Sequence, residues 1–119
     1  KLIVISSLGS NPNSSVFYNR TKGEMERDVT IAASSISQVI FLRPSLLLGD
    51  RSILGQPKRM GEQLAMQLTP FLTQVLCGPL KKYRPIPATT VAKKLLSLSK
   101  ANDHSNRLLI LENHELFQE

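Results

Sequence analysis

Cysteine and long apolar runs are both scarce in this 119-residue chain. A single cysteine, Cys77, excludes a disulfide within the chain and any cysteine-based metal cluster. No apolar run approaches the roughly 18 residues that a membrane span needs, so we expect no membrane partner. His104 and His114 have no partners at the spacing of metal ligands, and no metal site is predicted. These absences favour a cytoplasmic protein.

Acidic residues are outnumbered, because nine Asp and Glu face fifteen Lys and Arg and leave a formal charge of +6. Such a balance can indicate a nucleic-acid partner. The basic residues are scattered, however, and cluster only at Lys81, Lys82 and Arg84 and at Lys93 and Lys94. A solvated face explains this pattern better, so a nucleic-acid partner is not expected.

Glycine is also sparse, and its six positions are widely separated along the chain. No G-x-G-x-x-G motif occurs, and no loop could cradle a pyrophosphate through closely spaced backbone amides. The chain therefore lacks the usual signature of a complete dinucleotide-binding unit.

The remaining pattern alternates strands with helices. Short apolar runs predict strands, and apolar residues at helical spacing predict helices. The predicted strands cover residues 1–6, 39–42 and 108–111, with an edge segment at 83–87. The predicted helices run from a cap at Ser14 or Ser15 to about Ser34, over 58–76 in two pieces split at Pro70, from a cap at Thr89 or Thr90, and over a last turn at 114–117. This succession predicts an α/β fold.

The first two strands and the helix between them form a βαβ unit, so we expect them to be parallel with a right-handed crossover. Residues 7–15 and 46–56 would then be loops at the carboxyl edge of the sheet. Ligand sites in open α/β sheets lie at that edge. Two loops over one edge predict a cleft.

Several side chains near this edge could support chemistry. Ser6 and Ser7 end the first strand, and Tyr18 and Lys22 lie four residues apart on one helix face. Met25 and Val29 would continue that face into the core, so Tyr18 and Lys22 would point toward the protein body. A buried ammonium favours the ionised form of a neighbouring phenol, which suits a general acid/base. Strand alternation sends Ser6 and Ser7 to opposite sides, so only one of them can serve.

Three segments resemble a known family: residues 17–24 (FYNRTKGE), 42–51 (LRPSLLLGDR) and 83–87 (YRPIP). Together with the serines they are similar to the atypical short-chain dehydrogenase/reductase superfamily, in the branch of Tat-interacting-protein-like and sugar-nucleotide-epimerase-like oxidoreductases. The resemblance implies that residues 1–119 are the carboxyl-terminal half of one NAD(P)-binding domain with a doubly wound parallel (Rossmann-like) sheet. The half with the glycine-rich fingerprint is absent from this chain.

The resemblance also implies a function, namely NAD(P)-dependent oxidation-reduction or epimerisation with hydride transfer. Tyr18 would be the general acid/base, Lys22 would hold the nicotinamide ribose, and Ser6 or Ser7 would bind the substrate oxygen. Pro44, Ser45 and Leu47 would approach the nicotinamide. The cofactor would be NADP or NAD, and the substrate a carbonyl compound or a sugar-nucleotide-like molecule. An alternative is an NADPH-binding sensor or protein-interaction module without turnover.

The two apolar runs at residues 2–5 and 39–42 have the composition of strands buried on both faces. Such strands need neighbours on each side, and the chain supplies few. We therefore expect the missing amino-terminal half, or a second chain, to complete the sheet. Residues 1–119 alone should aggregate, swap or fold only in part, and should be inactive.

Overall fold

A computed structural model describes residues 1–49 and 83–118, and its elements form an α/β arrangement with a small parallel sheet, as expected. The strands are β1 (Leu2–Ile5), β2 (Val39–Arg43), β3 (Leu47–Leu48), β4 (Ile86–Pro87) and β5 (Leu108–Glu112). The helices are α1 (Phe17–Ala32), α2 (Ala88–Lys100) and a 3₁₀ helix (Asn113–Phe117). Neither α1 nor α2 contains an apolar stretch long enough to cross a bilayer. The two helical pieces predicted for 58–76 and Cys77 lie outside the described residues.

Within the described residues, the main sheet has three strands in the order β1-β2-β5, and both pairings are parallel. Val39 of β2 lies opposite Leu2 on one side and Leu108 on the other. The predicted parallel pairing of the first two strands is therefore confirmed. Because β2 is central, four of its five residues are buried, which its unbroken apolar sequence requires.

The two faces of the sheet carry different helices. Val39 and Phe41 point to the face that α1 covers through Met25 and Val29. Alternate side chains of a strand point to opposite faces. Ile40 and Leu42 accordingly pack on the other side, against residues of α2 and the 3₁₀ helix; these are Val91, Leu95, Leu98, Leu116 and Phe117.

The outer strands are less completely covered than β2. In the part of the chain that the structure describes, β1 pairs only with β2, and its last residue, Ile5, is exposed. At the opposite edge, Leu108 and Ile110 of β5 are exposed on the face that carries α1. The expectation that residues 2–5 are buried on both faces is therefore not met within the described ranges.

Three local predictions need correction. Both helix caps were placed on hydroxyl residues, but α1 is capped at Val16 and α2 at Pro87, neither with a side-chain hydrogen bond. Ser14 instead accepts a hydrogen bond from the Val16 amide, 3.1 Å long. Proline suits a helix start because its φ is fixed and it lacks a donor that would be unsatisfied there.

The third correction concerns residues 46–56, which were expected to form only a loop. Leu47–Leu48 makes a short parallel pair with Ile86–Pro87, and Leu47 lies opposite Ile86. The short extended segment predicted at 83–87 is confirmed at those two residues. The pairing joins positions almost forty residues apart, which local sequence patterns do not reveal.

Candidate functional site

A cleft of about 460 Å³ lies at the carboxyl ends of β1 and β2. Its lining residues are Ser6, Ser7, Leu8, Tyr18, Pro44, Ser45, Leu46 and Leu47. Every predicted site residue except Lys22 is among them. The backbone beyond the two strands stays in register, since Ser6 N donates to Leu42 O (2.7 Å) and Leu8 N donates to Pro44 O (2.9 Å).

The two serines differ in how their hydroxyls are bonded. Ser6 is buried, and its Oγ lies 3.0 Å from Ser10 Oγ. Ser10 Oγ donates to the carbonyl of Ser7 at 2.6 Å, so its proton is used and Ser6 must donate to Ser10. Ser7 has only a long contact of 3.5 Å to its neighbour's carbonyl. The hydroxyl of Ser7 is therefore the more available donor for a ligand.

Tyr18 and Lys22 meet on α1 as predicted from their spacing, with Lys22 Nζ 5.8 Å from the centre of the Tyr18 ring. This is cation–π geometry. Tyr18 is 56% exposed, so the expectation that it points into the protein body is wrong. The first turns of α1 contact the loop after β1, where Asn11 N donates to Asn19 O at 3.0 Å. Tyr18 therefore lines the cleft at its solvent-exposed side.

Two glycines allow this loop to approach α1. A Cβ on Gly23 would lie 2.3 Å from backbone atoms of Asn11 and Pro12, closer than any real contact. Gly9 has φ +80°, and a Cβ there would lie 3.1 Å from the side-chain nitrogen Nδ2 of Asn19. Both positions need glycine for steric reasons.

Arg43, the last residue of β2, binds two neighbouring elements, α1 and β5, at the edge where the cleft lies. Its Nε and Nη2 bind Glu26 of α1 at 3.0 and 2.6 Å, and its Nη1 binds Glu112 of β5 at 2.9 Å. Hydrogen bonding to Glu26, the largest cause, and to Glu112 raises the pKa of Arg43 above its usual value, against the opposing effect of burial. The guanidinium therefore stays charged and holds three elements together beside Pro44.

Asn113 is a buried polar residue that was not among the predicted site residues. Its side chain is fully buried, its Oδ1 accepts the Ser45 amide at 2.9 Å, and its Nδ2 donates to the Arg84 carbonyl at 2.7 Å. A polar residue directly after an apolar strand, at the carboxyl edge, is the signal that could have identified it.

Among residues 1–49 and 83–118, no group of three His, Cys, Asp or Glu side chains is close enough to hold a metal ion. The described cleft offers hydrogen bonding by hydroxyls and backbone groups, next to the aromatic ring of Tyr18 and the ammonium of Lys22.

The chain is similar to fungal proteins named "Protein FMP52, mitochondrial". It is 31% identical over 116 residues to the protein of Kluyveromyces lactis and 28% identical over 114 residues to that of Eremothecium gossypii. A shorter match of 50 residues to the Candida glabrata protein is 50% identical. These matches cover 98%, 96% and 42% of this chain, and 50%, 48% and 21% of the respective relatives. The chain thus spans about half the length of the first two curated relatives.

These comparisons overturn the family assignment. No family model matches the chain, and the relatives carry the FMP52 name rather than that of a short-chain dehydrogenase/reductase. The same finding shows that the prediction of an oxidoreductase or epimerase is wrong. It also contradicts the alternative, an NADPH-binding sensor or interaction module. A Tyr and a Lys four residues apart occur by chance on many helices, which explains the misleading signal.

The prediction of a cytoplasmic protein is also corrected. The relatives' names describe mitochondrial proteins. A single cysteine and short apolar runs are compatible with several compartments, so the composition could not decide between them.

Proposed function

We propose that the cleft at the carboxyl edge of the sheet is a binding site for a small, oxygen-rich ligand. The observation that supports it is the convergence of Ser7, Tyr18 and Ser45, from three separate segments, on one cavity of about 460 Å³. Ligand pockets in proteins have this size, and those of open α/β sheets lie outside the carboxyl ends of the strands.

The wider architecture belongs to the same proposal. Residues 1–119 form the carboxyl-terminal half of a single domain with a doubly wound, Rossmann-like parallel sheet. Two facts support this: β1 has one strand neighbour in the described ranges, and the chain spans about half of the first two relatives. A further segment, or a second chain, would pair with the open side of β1.

NAD or NADP is the ligand that we propose to test first, because the relatives' names contradict the family and its activity but name no ligand. Tyr18 and Lys22 offer a ring and a cation on one helix, while Pro44, Ser45 and Leu47 form the facing wall. These residues would contact only one end of such a molecule, because the chain has no glycine-rich loop for the diphosphate. A carbonyl compound or a sugar nucleotide is the second ligand class, and the hydroxyl of Ser7 would donate a hydrogen bond to one of its oxygens.

The test is calorimetric titration of the full-length protein, with NADPH, NADH and UDP-glucose as probes. We expect at least one probe to bind, and Ser7→Ala and Tyr18→Phe to weaken it roughly 3- to 10-fold each through the loss of one hydrogen bond. Ser99→Ala is the matched control, because Ser99 is an exposed hydroxyl residue on α2. Absence of binding by all three probes at millimolar concentration would overturn the proposal, as would equal effects of Ser7→Ala and Ser99→Ala.

We propose a mitochondrial location on the basis of the relatives' names. Protease protection of the tagged, full-length protein in isolated mitochondria tests this. Recovery of the protein only in the cytosolic fraction would contradict it.

A further inference from the structure

Asn113 joins two segments of the chain, namely the cleft wall formed by residues 44–47 and the segment that begins at Arg84. Its amide oxygen binds the backbone of Ser45, and its amide nitrogen binds the carbonyl of Arg84. Ser45 Oγ also donates to that carbonyl, at 2.5 Å. The three residues form a closed ring of hydrogen bonds, and Ser45 is itself part of the cleft wall.

The side chain of Asn113 is held in place from its own segment. Glu112 caps the 3₁₀ helix in a reciprocal capping box with Glu115, whose carboxylate accepts the Glu112 amide at 2.7 Å. Glu112 in turn accepts a hydrogen bond from Arg43. The position of Asn113 therefore depends on the end of β2 and on the start of the 3₁₀ helix together.

Arg84 is fixed on its other side as well. Its guanidinium lies 4.8 Å from the centre of the Phe117 ring, at the end of the same 3₁₀ helix. Two residues further on, Ile86 N donates to Leu46 O at 3.0 Å, which joins the segment after Arg84 to the cleft wall. The cleft wall is thus joined to the segment that begins at Arg84 in two ways, through the side chain of Asn113 and through the direct hydrogen bond between Ile86 and Leu46.

We infer that Asn113 is a positioning residue for the cleft, because it sets the placement of the wall formed by residues 44–47. Only an amide suits the position, since one atom must accept from a backbone N–H and the other must donate to a carbonyl. Aspartate keeps the acceptor and loses the donor. The effect on ligand affinity rests on the proposed function; the effect on the wall does not.

The first measurement is amide hydrogen exchange of the Asn113→Asp and Asn113→Ala variants of the full-length protein. We expect exchange at Ile86 to accelerate roughly 10- to 100-fold, while exchange at Phe41 in the central strand changes much less. A residue that contributes only to global stability would accelerate both equally. Uniform acceleration, or unchanged exchange at Ile86, would overturn the inference.

Gln38→Ala is the matched control. Gln38 is another buried amide, bonded to the Asn106 carbonyl at 3.1 Å, but at the amino ends of the strands. We expect it to lower the melting temperature without selective acceleration at Ile86. An effect at Ile86 as large as that of Asn113→Ala would contradict a positioning role.

The second measurement is NADPH affinity by calorimetry in the same variants. We expect Asn113→Asp to weaken binding at least fivefold and Gln38→Ala to leave it within twofold. If the unmodified protein binds no NADPH while Ile86 still exchanges faster in the Asn113 variants, NADPH is wrong as the ligand and the placement of the wall stands. If NADPH binds and the Asn113 variants bind it equally well, Asn113 does not position the site.

Discussion

Glu26 and Arg43 are joined by two parallel hydrogen bonds, from Arg43 Nε at 3.0 Å and from Nη2 at 2.6 Å. Glu26 lies two turns after Tyr18 on α1, and Arg43 directly precedes Pro44. The pair therefore fixes the helix that carries one side of the cleft to the strand that carries the other. Glu26 is only 7% exposed, so its carboxylate depends on this partner.

Replacement of Arg43 by Met should lower the free energy of unfolding by roughly 2 to 4 kcal/mol, because it leaves the buried charge of Glu26 unpaired. Urea denaturation followed by circular dichroism measures this. Arg43→Met combined with Glu26→Leu should recover part of the loss, since it removes the orphaned charge.

Arg27→Ala is the control for this prediction. Arg27 pairs with Asp28 at 2.9 Å, but both side chains are more than half exposed. We expect little change in its unfolding midpoint. Equal midpoints for Arg43→Met and Arg27→Ala would show that the Arg43 contacts do not support the fold.

Gly23→Ala should destabilise the protein although alanine is the better helix former. The added Cβ would lie 2.3 Å from the Asn11 and Pro12 backbone, so the loop or the helix must move. We expect a loss of roughly 1 to 3 kcal/mol from this overpacking. Gly49→Ala is the matched variant, because among residues 1–49 and 83–118 a Cβ there meets only Ala88 Cβ, at 3.6 Å. A Gly23 variant as stable as the Gly49 variant would refute the close approach.

The carboxyl group of Asp103 should titrate below its usual pKa of 3.8, because its charged form accepts hydrogen bonds from the Ser105 amide and hydroxyl. A pKa lowered in the folded state contributes stability above the unfolded pKa, and that contribution is lost as the pH falls through the folded value. Side-chain carbon NMR gives the titration directly. Ser105→Pro removes both donors and should shift the Asp103 pKa upward; an unchanged curve would exclude the contact in solution.

Residues 1–119 produced alone should be oligomeric, aggregated or only partly folded. Within the described ranges, no strand pairs with the outer edge of β1, so its backbone groups are available to another chain. Exposed strand edges promote such pairing. Light scattering and calorimetry test this. A monomer that melts cooperatively would mean that the 119 residues are a complete domain.

Some of these features follow from local sequence patterns and others do not. The apolar runs of β1 and β2 indicated strands, and parallel pairing then placed Ser6 and Pro44 at one edge, so the cleft could be predicted. The bond between Arg43 and Glu112 and that between Asn113 and Ser45 join residues more than sixty positions apart. Local periodicity carries no information on such contacts.

Tyr18 shows a different limit. Helical spacing correctly placed it on the face shared with Lys22 and Met25, but burial depends on what lies opposite. The first turns of α1 face the loop after β1, and the core contacts of the helix come from Met25 and Val29. The spacing therefore predicted the pair and not its exposure.

The most direct test of the proposed site is a titration of the isotope-labelled, full-length protein with NADPH, followed by amide NMR. We predict that the amide signals of Ser7, Leu8, Ser45 and Leu46 shift together with one saturation curve, while those of Ser97 and Leu98 on α2 remain in place. Saturable shifts confined to α2 or elsewhere, with the cleft amides unchanged, would contradict a ligand site at the carboxyl edge of the sheet.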